Sequence, residues 1–209
     1  QANLVIARAD GQPILSEIRI PDSYYWNWFD NERLISSVIP QNGTPSLFLL
    51  NPFTGKRQEL RTDFPVSILF SNDLTDPRVY WWFRNGGLPV YDPTLTRILY
   101  PECDSQCQYQ SKGGWPIALW DVETSQVIAR IITMDNYGDT PVWTPDGKEF
   151  IISANIDPED RNSYGSEFFA VSREGQLNQL THFMDYYGAV DIRDSYSLSP
   201  NGKLLAFWI

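Results

Sequence analysis

Two similar turn motifs, 55 residues apart, place the strongest constraint on how this chain folds. Residues 144–153 read TPDGKEFIIS, and residues 199–207 read SPNGKLLAF. In both, proline presets the first turn angle, and Asp-Gly or Asn-Gly then tolerates a positive φ before an apolar, β-prone run. Each motif therefore predicts a tight hairpin turn, and the two copies predict a repeat. The motif residues are Pro145, Asp146, Gly147 and Lys148 in the first copy, and Pro200, Asn201, Gly202 and Lys203 in the second.

Two kinds of hairpin alternate along the chain. The first kind, with an aromatic strand, a turn and an apolar strand, is centred near Asn31, Leu95, Gly147 and Gly202. The second kind, with an apolar strand, a turn and a mixed strand, is centred near Gly11, Gly55, Ser125 and Gly175. No segment shows sustained helical periodicity flanked by caps, so we predict no substantial helix.

This alternation favours one all-β fold over the others. Four short strands per period of about 40 to 55 residues are typical of a propeller blade. We therefore predict a β-propeller of four-stranded antiparallel blades, with about three full blades and two half-blades. A β-sandwich is the competing interpretation, but it does not predict that two hairpin types alternate in one order.

The hairpin order also predicts boundaries within a single β-propeller domain, residues 1–209. We expect half-blades at 3–20 and 191–209, and full blades at 21–62, 63–134 and 135–190. The second full blade carries an insertion at 63–87. The half-blades are complementary, because the first is an outer hairpin and the last an inner one. We predict that they do not close on each other, and that further blades, from a missing segment or a partner, complete a larger ring.

The composition of the chain excludes several kinds of partner. Hydrophobic residues make up 42% of the chain and aromatic residues 14%, which is typical of a globular protein. The net charge of −10 argues against nucleic acid and anionic membrane surfaces, since both need a basic surface on the protein. No apolar run approaches the roughly 20 residues of a membrane-spanning helix. We therefore predict no nucleic acid partner and no membrane span.

No recognisable catalytic constellation occurs in the sequence. The one histidine, His182, follows a predicted strand, and no Gly-x-Ser-x-Gly elbow is present for a Ser-His-Asp triad. The acidic loop 157–165 lacks the alternating ligands of an EF-hand, so we interpret it as a solvated loop, with a Ca²⁺ site as the alternative. Further carboxylates follow at Asp185, Asp191 and Asp194. We expect no enzyme activity within this chain and no cofactor.

Tryptophans in loops between strands are the strongest indication of a partner. Trp81 and Trp82 lie in the predicted insertion and Trp115 lies in a loop, so we predict that these three residues contact a protein partner. Trp81 and Trp82 are adjacent, so the alternative is that one ring lies in the core while the other is exposed. Trp26 and Trp28 alternate inside a predicted strand, and we interpret them as core residues between blades.

The repeat motifs resemble those of WD40-like, TolB-type β-propellers, in which a Pro-Asp-Gly-Lys turn follows an aromatic residue and precedes an apolar strand. Residues 142–148 (VWTPDGK) match this pattern nearly throughout, and residues 198–203 (LSPNGK) match it closely. Residues 91–94 (YDPT) are a degenerate copy and residues 28–31 (WFDN) a poor one. The resemblance implies the propeller fold, but it identifies no function, because propellers host several classes of function.

Two functions are compatible with such a fold. The first is a non-enzymatic scaffold for protein–protein interaction, in an extracytoplasmic (periplasmic or secreted) bacterial setting. The alternative is the substrate-gating propeller of a larger hydrolase, such as a prolyl-oligopeptidase-type serine peptidase, whose catalytic domain lies outside this chain. A longer reading frame with a downstream Gly-x-Ser-x-Gly elbow would favour the second function.

Cys103 and Cys107 predict a local disulfide if the protein is exported, with two free thiols as the alternative. Zinc needs about four ligands, and one cysteine pair is too few. The closed loop is small, so the bridge stabilises the fold by about 2 kcal/mol at most. We expect that intact mass spectrometry under non-reducing conditions finds neither cysteine alkylated before reduction. Two alkylated thiols in the native protein would refute the bridge.

Overall fold

The computed structural model describes residues 2–7, 9–10, 16–20, 23–38, 46–60, 90–101, 116–132, 141–155, 165–188, 190 and 192–208. The chain divides into two compact units. One consists of Gln1–Val66 with Gly86–Leu88, and the other of Ser67–Asn85 with Pro89–Ile209. Both are built from antiparallel strands that pair in chain order.

The first unit contains a two-stranded and a four-stranded antiparallel sheet. Strand β1 (Ala2–Ile6) pairs with β2 (Ser16–Ile20). The larger sheet has the order β3-β4-β5-β6, with β3 (Ser23–Trp28), β4 (Leu34–Val38), β5 (Ser46–Leu50) and β6 (Arg57–Leu60). Four consecutive side chains of β5 are buried, namely Leu47, Phe48, Leu49 and Leu50. Because neighbouring side chains of a strand point to opposite faces, this strand is buried on both faces.

The second unit contains two four-stranded sheets, a two-stranded sheet and one short helix. The first sheet consists of β7 (Val90–Tyr91), β8 (Arg97–Pro101), β9 (Pro116–Asp121) and β10 (Gln126–Ile132). The second consists of β11 (Val142–Trp143), β12 (Glu149–Asn155), β13 (Ser166–Ser172) and β14 (Leu177–Gln179). Helix α1 (Phe183–Tyr187) follows, and then β15 (Arg193–Leu198) pairs with β16 (Leu205–Trp208).

The sheets have the strand order of propeller blades, because each strand pairs antiparallel with its neighbour in the chain. The predicted fold class is confirmed: over the described residues, the chain is all-β, with three four-stranded sheets and two two-stranded ones. Within the described residues, α1 is the one α-helix and has only 5 residues, in agreement with the prediction of no substantial helix. The blade boundaries, the single domain and the larger ring stay predictions, and the predicted insertion at 63–87 lies outside the described residues.

Strands β12 and β13 of the second sheet are buried on both faces, whereas β14 is mostly exposed. Phe150 and Ile152 pack into a hydrophobic cluster with buried residues of β8, β9 and β10. On the opposite face, Ile151 and Phe168 pack into a second cluster with residues of β15 and β16. There the Tyr196 ring lies 5.1 Å from that of Phe168, and its hydroxyl donates to the Ile151 carbonyl at 2.7 Å. Burial on both faces explains why β12 is a continuous apolar run and not an alternating one.

The turns β7–β8, β11–β12 and β15–β16 share one geometry. Each begins at a residue whose side-chain oxygen accepts a hydrogen bond from the backbone N–H five residues later, namely Asp92, Thr144 and Ser199. Each then passes through a residue with φ between 62° and 71°, namely Leu95, Gly147 and Gly202. The sequence motif is therefore a means of building one particular turn three times. Its degenerate copy at residues 91–94 builds the same turn without a glycine.

These turns also pack against one another through proline and glycine. A Cβ added to Gly147 would lie 3.2 Å from Cδ of Pro93, and one added to Gly202 would lie 2.9 Å from Cδ of Pro145. The proline of each turn thus lies directly against the glycine of the next turn. Glycine is needed there for two reasons, its positive φ and its lack of a side chain.

The β13–β14 turn also makes a close contact at Gly175. We predict how much a side chain at this position would lower the free energy of unfolding. A Cβ added to Gly175 (φ 84°) would overlap Cβ of Ala129 on β10, whereas Gly55 (φ 71°) has nothing within 4 Å. We expect Gly55→Ala to lower the free energy of unfolding by about 1 kcal/mol, from its positive φ alone. We expect Gly175→Ala to lower it by about 1 to 3 kcal/mol more, from overpacking. Urea unfolding followed by tryptophan fluorescence gives both values.

A double variant checks the origin of the difference. Ala129→Gly removes the methyl group that opposes position 175, so it should recover part of the loss caused by Gly175→Ala. Equal losses for Gly55→Ala and Gly175→Ala would show that the two glycines serve backbone conformation only.

Candidate functional site

The sheets of the second unit have two distinct ends. The turns within the hairpins β7–β8, β9–β10, β11–β12, β13–β14 and β15–β16 form what we call the turn end. Because consecutive strands are antiparallel, β8 joins β9, and β12 joins β13, at the opposite end, which we call the connection end. Helix α1 lies at the connection end, since the Met184 side chain occupies the space that a Cβ on Gly165 would need, directly before β13.

Arg173, in the β13–β14 turn, joins two blades at the turn end. Its Nη1 donates to Oδ2 of Asp92 at 2.8 Å and to the carbonyl oxygen of Gly147 at 2.6 Å. Its Nη2 donates to the hydroxyl of Thr96, and its guanidinium carbon lies 5.9 Å from the centre of the Trp143 ring. One side chain therefore holds three turns together.

Asp92, the partner of Arg173, is a fully buried carboxylate. Its Oδ1 accepts from the backbone N–H groups of Thr96 at 2.7 Å and Arg97 at 2.6 Å. Burial raises the pKa of Asp92, but hydrogen bonds from Thr94 and Arg173 outweigh burial and lower the pKa below its usual value. Asp92 is therefore ionised, and both of its oxygens are engaged within the protein. We assign this ion pair a structural role.

The residues of the sharper repeat motifs shape the turns and carry no chemistry of their own. The hydroxyl of Thr144 donates to Oδ1 of Asp146 at 2.8 Å, and Ser199 donates to Oδ1 of Asn201 at the same distance. Lys148 forms an ion pair with Asp146 at 3.1 Å, in which the two side chains are 79% and 55% exposed. Charged residues of the motif are thus solvated at the turn end.

At the connection end, a second buried carboxylate fixes helix α1. Glu167 of β13 is fully buried, its Oε2 accepts from the Thr181 hydroxyl at 2.5 Å, and its Oε1 accepts from the backbone N–H of Met184 at 3.0 Å. Burial raises the pKa of Glu167, but the hydrogen bonds from Thr181 and Met184 outweigh it and lower the pKa. The ionised carboxylate therefore ties the first turn of α1 to the blade.

Helix α1 presents two tyrosines to solvent, Tyr186 and Tyr187, which we call the aromatic pair. The side chains are 81% and 70% exposed, and their ring centres lie 6.5 Å apart with planes inclined at 54°. Phe183 of the same helix is half-buried, and its ring lies 5.5 Å from that of Phe207 on β16. The helix is thus anchored on one side and aromatic on the other. Asp185 lies in its first turn, and its last turn has no basic residue.

The first unit has its own exposed aromatic residue, and it corrects one expectation. Trp26 is half-buried and meets Phe48 edge-on at 5.6 Å, but Trp28 is 50% exposed. The interpretation of Trp28 as core is wrong, because β3 ends at this residue and a turn follows in which Asp30 accepts from the backbone N–H of Arg33 at 2.7 Å. Residues 28–31 line an open pocket of about 420 Å³ there.

Several predicted residues lie outside the described parts of the chain. These are Trp81, Trp82, Trp115, Cys103 and Cys107, and the acidic loop 157–164. Their partner contact, disulfide and solvated-loop predictions stay predictions.

The described residues contain no candidate metal centre. His182 is exposed and precedes α1. Over the described ranges, no group of three His, Cys, Asp or Glu residues could hold a metal ion. No helix in those ranges is long and apolar enough to cross a membrane.

Sequence reasoning missed the residues that define both ends. Arg173 and Asp92 are 81 positions apart, so nothing local indicates that they meet. The spacing of Phe183 and Tyr187 is a helical signal, but it covers barely more than one turn. Two adjacent tyrosines after a polar strand end were the available indication of an exposed surface.

Comparison with known proteins gives similarities of fold. No family model and no curated protein matches the chain. It is similar to TolB from Acinetobacter baumannii, with 21% identity and a TM-score of 0.49, over 98% of this chain and 42% of that chain. It is similar to the β-propeller domain of Cps50 (Swd1) from Myceliophteria thermophila, with 15% identity and a TM-score of 0.43, over 95% and 58% of the two chains.

A third similarity is to an acylaminoacyl peptidase from Pyrococcus horikoshii, with 11% identity and a TM-score of 0.46, over 86% of this chain and 28% of that chain. This chain therefore spans less than two thirds of each of these three structures. These similarities include TolB-type propellers, the class whose repeat motif the sequence resembles.

The Arg173–Asp92 pair yields a prediction about stability. Arg173→Met should lower the free energy of unfolding by about 3 kcal/mol, because it leaves a buried carboxylate without its charge partner. The control is Lys148→Met, which breaks an exposed ion pair and should change stability little. Asp92→Asn should recover part of the loss in the Arg173→Met background, since the buried charge is then gone. Urea unfolding measures all four proteins.

Acid titration of the same variants gives a second readout. The folded pKa of Asp92 is lowered, so its stabilisation is present above the unfolded pKa of about 3.9 and is lost as pH falls through the folded pKa. Below about pH 4, the unfolding free energy of the parent should therefore fall more steeply than that of Asp92→Asn/Arg173→Met. Identical slopes would contradict the assigned role.

Proposed function

We propose that this chain is the non-enzymatic, protein-binding part of a β-propeller and that the aromatic pair on α1 is its docking surface. The observation that carries the proposal is the exposure of Tyr186 and Tyr187 on a helix that is itself held in place. Glu167 fixes one end of that helix and Phe183 packs its inner side. Large side chains that are both exposed and held in place are typical of binding hot spots.

The aromatic pair supplies part of the energy that docking needs, and the rest has to come from surface around it. Two tyrosine side chains at this exposure leave about 200 Å² for a partner to cover. At about 25 cal/mol per Å², that area contributes about 5 kcal/mol before the costs of association. Because α1 is anchored, little of this gain is spent on ordering the helix.

A non-enzymatic function is supported by the buried carboxylates, because they bind groups of the protein itself. Asp92 and Glu167 are both fully buried, and each of their oxygens accepts a hydrogen bond from the protein itself. We also propose that the protein is extracytoplasmic. In that setting the predicted disulfide between Cys103 and Cys107 would form. The alternative, a gating propeller of a larger hydrolase, places the catalytic residues outside residues 1–209.

Site-specific photo-cross-linking tests the docking surface. A photoreactive phenylalanine analogue replaces Tyr187 in one protein and Lys148 in the control, because Lys148 is equally exposed but lies at the turn end. After irradiation in the native host, we expect a discrete protein adduct from position 187 and none from position 148. Mass spectrometry identifies the cross-linked segment.

Two results would count against the proposal. No adduct from position 187, or the same adducts from both positions, would refute docking through α1. An adduct between position 187 and a catalytic domain of the same polypeptide would favour the hydrolase alternative.

A further inference from the structure

We infer that the occupant of the aromatic pair is an arginine-containing, basic segment of the partner protein. This inference rests on the proposed docking function and specifies the chemistry of the partner. It follows from the open faces of the two rings, the charge around α1 and the way this chain uses its own arginines.

The two tyrosine rings are suited to a flat cation. Their planes are inclined at 54° with centres 6.5 Å apart, so they do not stack on each other, and most of each ring is open to solvent. The face of an aromatic ring carries negative electrostatic potential, which attracts cations within about 6 Å of the ring centre. Guanidinium is planar and weakly hydrated, so it covers such a face better than an ammonium group does.

The charge around α1 also favours a cation. Asp185 is exposed in the helix, and the last turn of the helix, which carries a partial negative charge, has no basic residue to offset it. Between Arg173 and Arg193 the sequence contains no lysine or arginine. With a net charge of −10 over the whole chain, a basic partner is attracted from a distance as well.

Other aromatic rings of this protein already have an arginine from the same chain. Arg33 lies 5.1 Å from the centre of the Phe29 ring, and Arg57 lies 3.9 Å from that of Phe48. Arg173 lies over Trp143 in the same way. Among the described residues, the aromatic pair has no such arginine, although it is more exposed than any of these rings. Elsewhere an arginine of the same chain covers an aromatic ring, but among the described residues no arginine covers the rings of α1.

Binding of a defined peptide tests this inference. The probe is a dye-labelled peptide with four arginines separated by glycines, and its control is the same peptide with citrulline, which keeps the shape but removes the charge. Fluorescence polarisation with the full chain at about 0.1 M salt gives the two affinities. We expect the arginine peptide to bind at least tenfold more tightly.

Two matched sets of variants locate the site. Tyr186→Leu/Tyr187→Leu keeps apolar area but removes the ring faces, and should weaken arginine-peptide binding about tenfold. Tyr186→Phe/Tyr187→Phe keeps the ring faces and should bind within about twofold of the parent. Asp185→Asn removes one negative charge at the connection end, and Glu123→Gln removes one at the turn end. Only the first should weaken binding, because Glu123 lies in the β9–β10 turn.

The outcomes separate this inference from the docking function on which it rests. Equal affinity for arginine and citrulline peptides, or equal losses for Asp185→Asn and Glu123→Gln, would overturn the inference. A cross-link from position 187 to a partner segment without arginine or lysine would also overturn it, while docking through α1 would stand. Selective arginine binding in the absence of any cross-linked partner would support the cation site and refute the docking function.

Discussion

The contact between proline and glycine at the turn end is the constraint on which the second unit depends. Pro93 lies against Gly147, and Pro145 lies against Gly202, so each turn limits the position of the next. A side chain on Gly202 would displace the neighbouring turn, and one on Gly147 would crowd Pro93, so either would act on two turns and not on one alone. The close spacing of the turns lets Arg173 reach the carboxylate of Asp92 in another turn. The buried charge of Asp92 is tolerated only because Arg173 pairs with it.

The same packing gives the connection end its fixed geometry. Helix α1 has 5 residues, far fewer than an isolated helix needs to be stable in water. It exists because Glu167, on a strand buried between two hydrophobic clusters, binds its first turn. The positions of two exposed tyrosines are therefore set by the core of a blade and not by the helix itself, and a partner finds that surface already formed.

The local part of this fold could be predicted from the sequence, and the non-local part could not. Gly147 and Gly202 follow proline in a motif with strong turn chemistry, so their turns and the flanking strands were predictable. Leu95 adopts the same positive φ against its own preference, at a cost of about 1 to 2 kcal/mol, so its turn was only a degenerate match.

The candidate site depends on the least predictable features. Asp92 and Arg173 are distant in sequence, and neither residue type indicates burial. Tyr186 and Tyr187 could not be separated from core aromatics until the face of α1 was known. The interpretation of Trp28 as a core residue was wrong for a related reason. Its alternation with Trp26 indicates burial only within a strand, and β3 ends at Trp28.

The contrast between the two ends determines where this fold can accept new sequence. The turns at residues 92–96, 144–148 and 199–204 are short, and two of them lie directly against the proline of the preceding turn. The chain between β8 and β9 covers residues 102–115, and that between β12 and β13 covers residues 156–165, without a common length or motif. Insertions at the first end would force blades apart, because proline and glycine of successive turns are already in contact there. Grafted recognition loops therefore need a position away from the turn end, where lengthening the chain does not act on this contact.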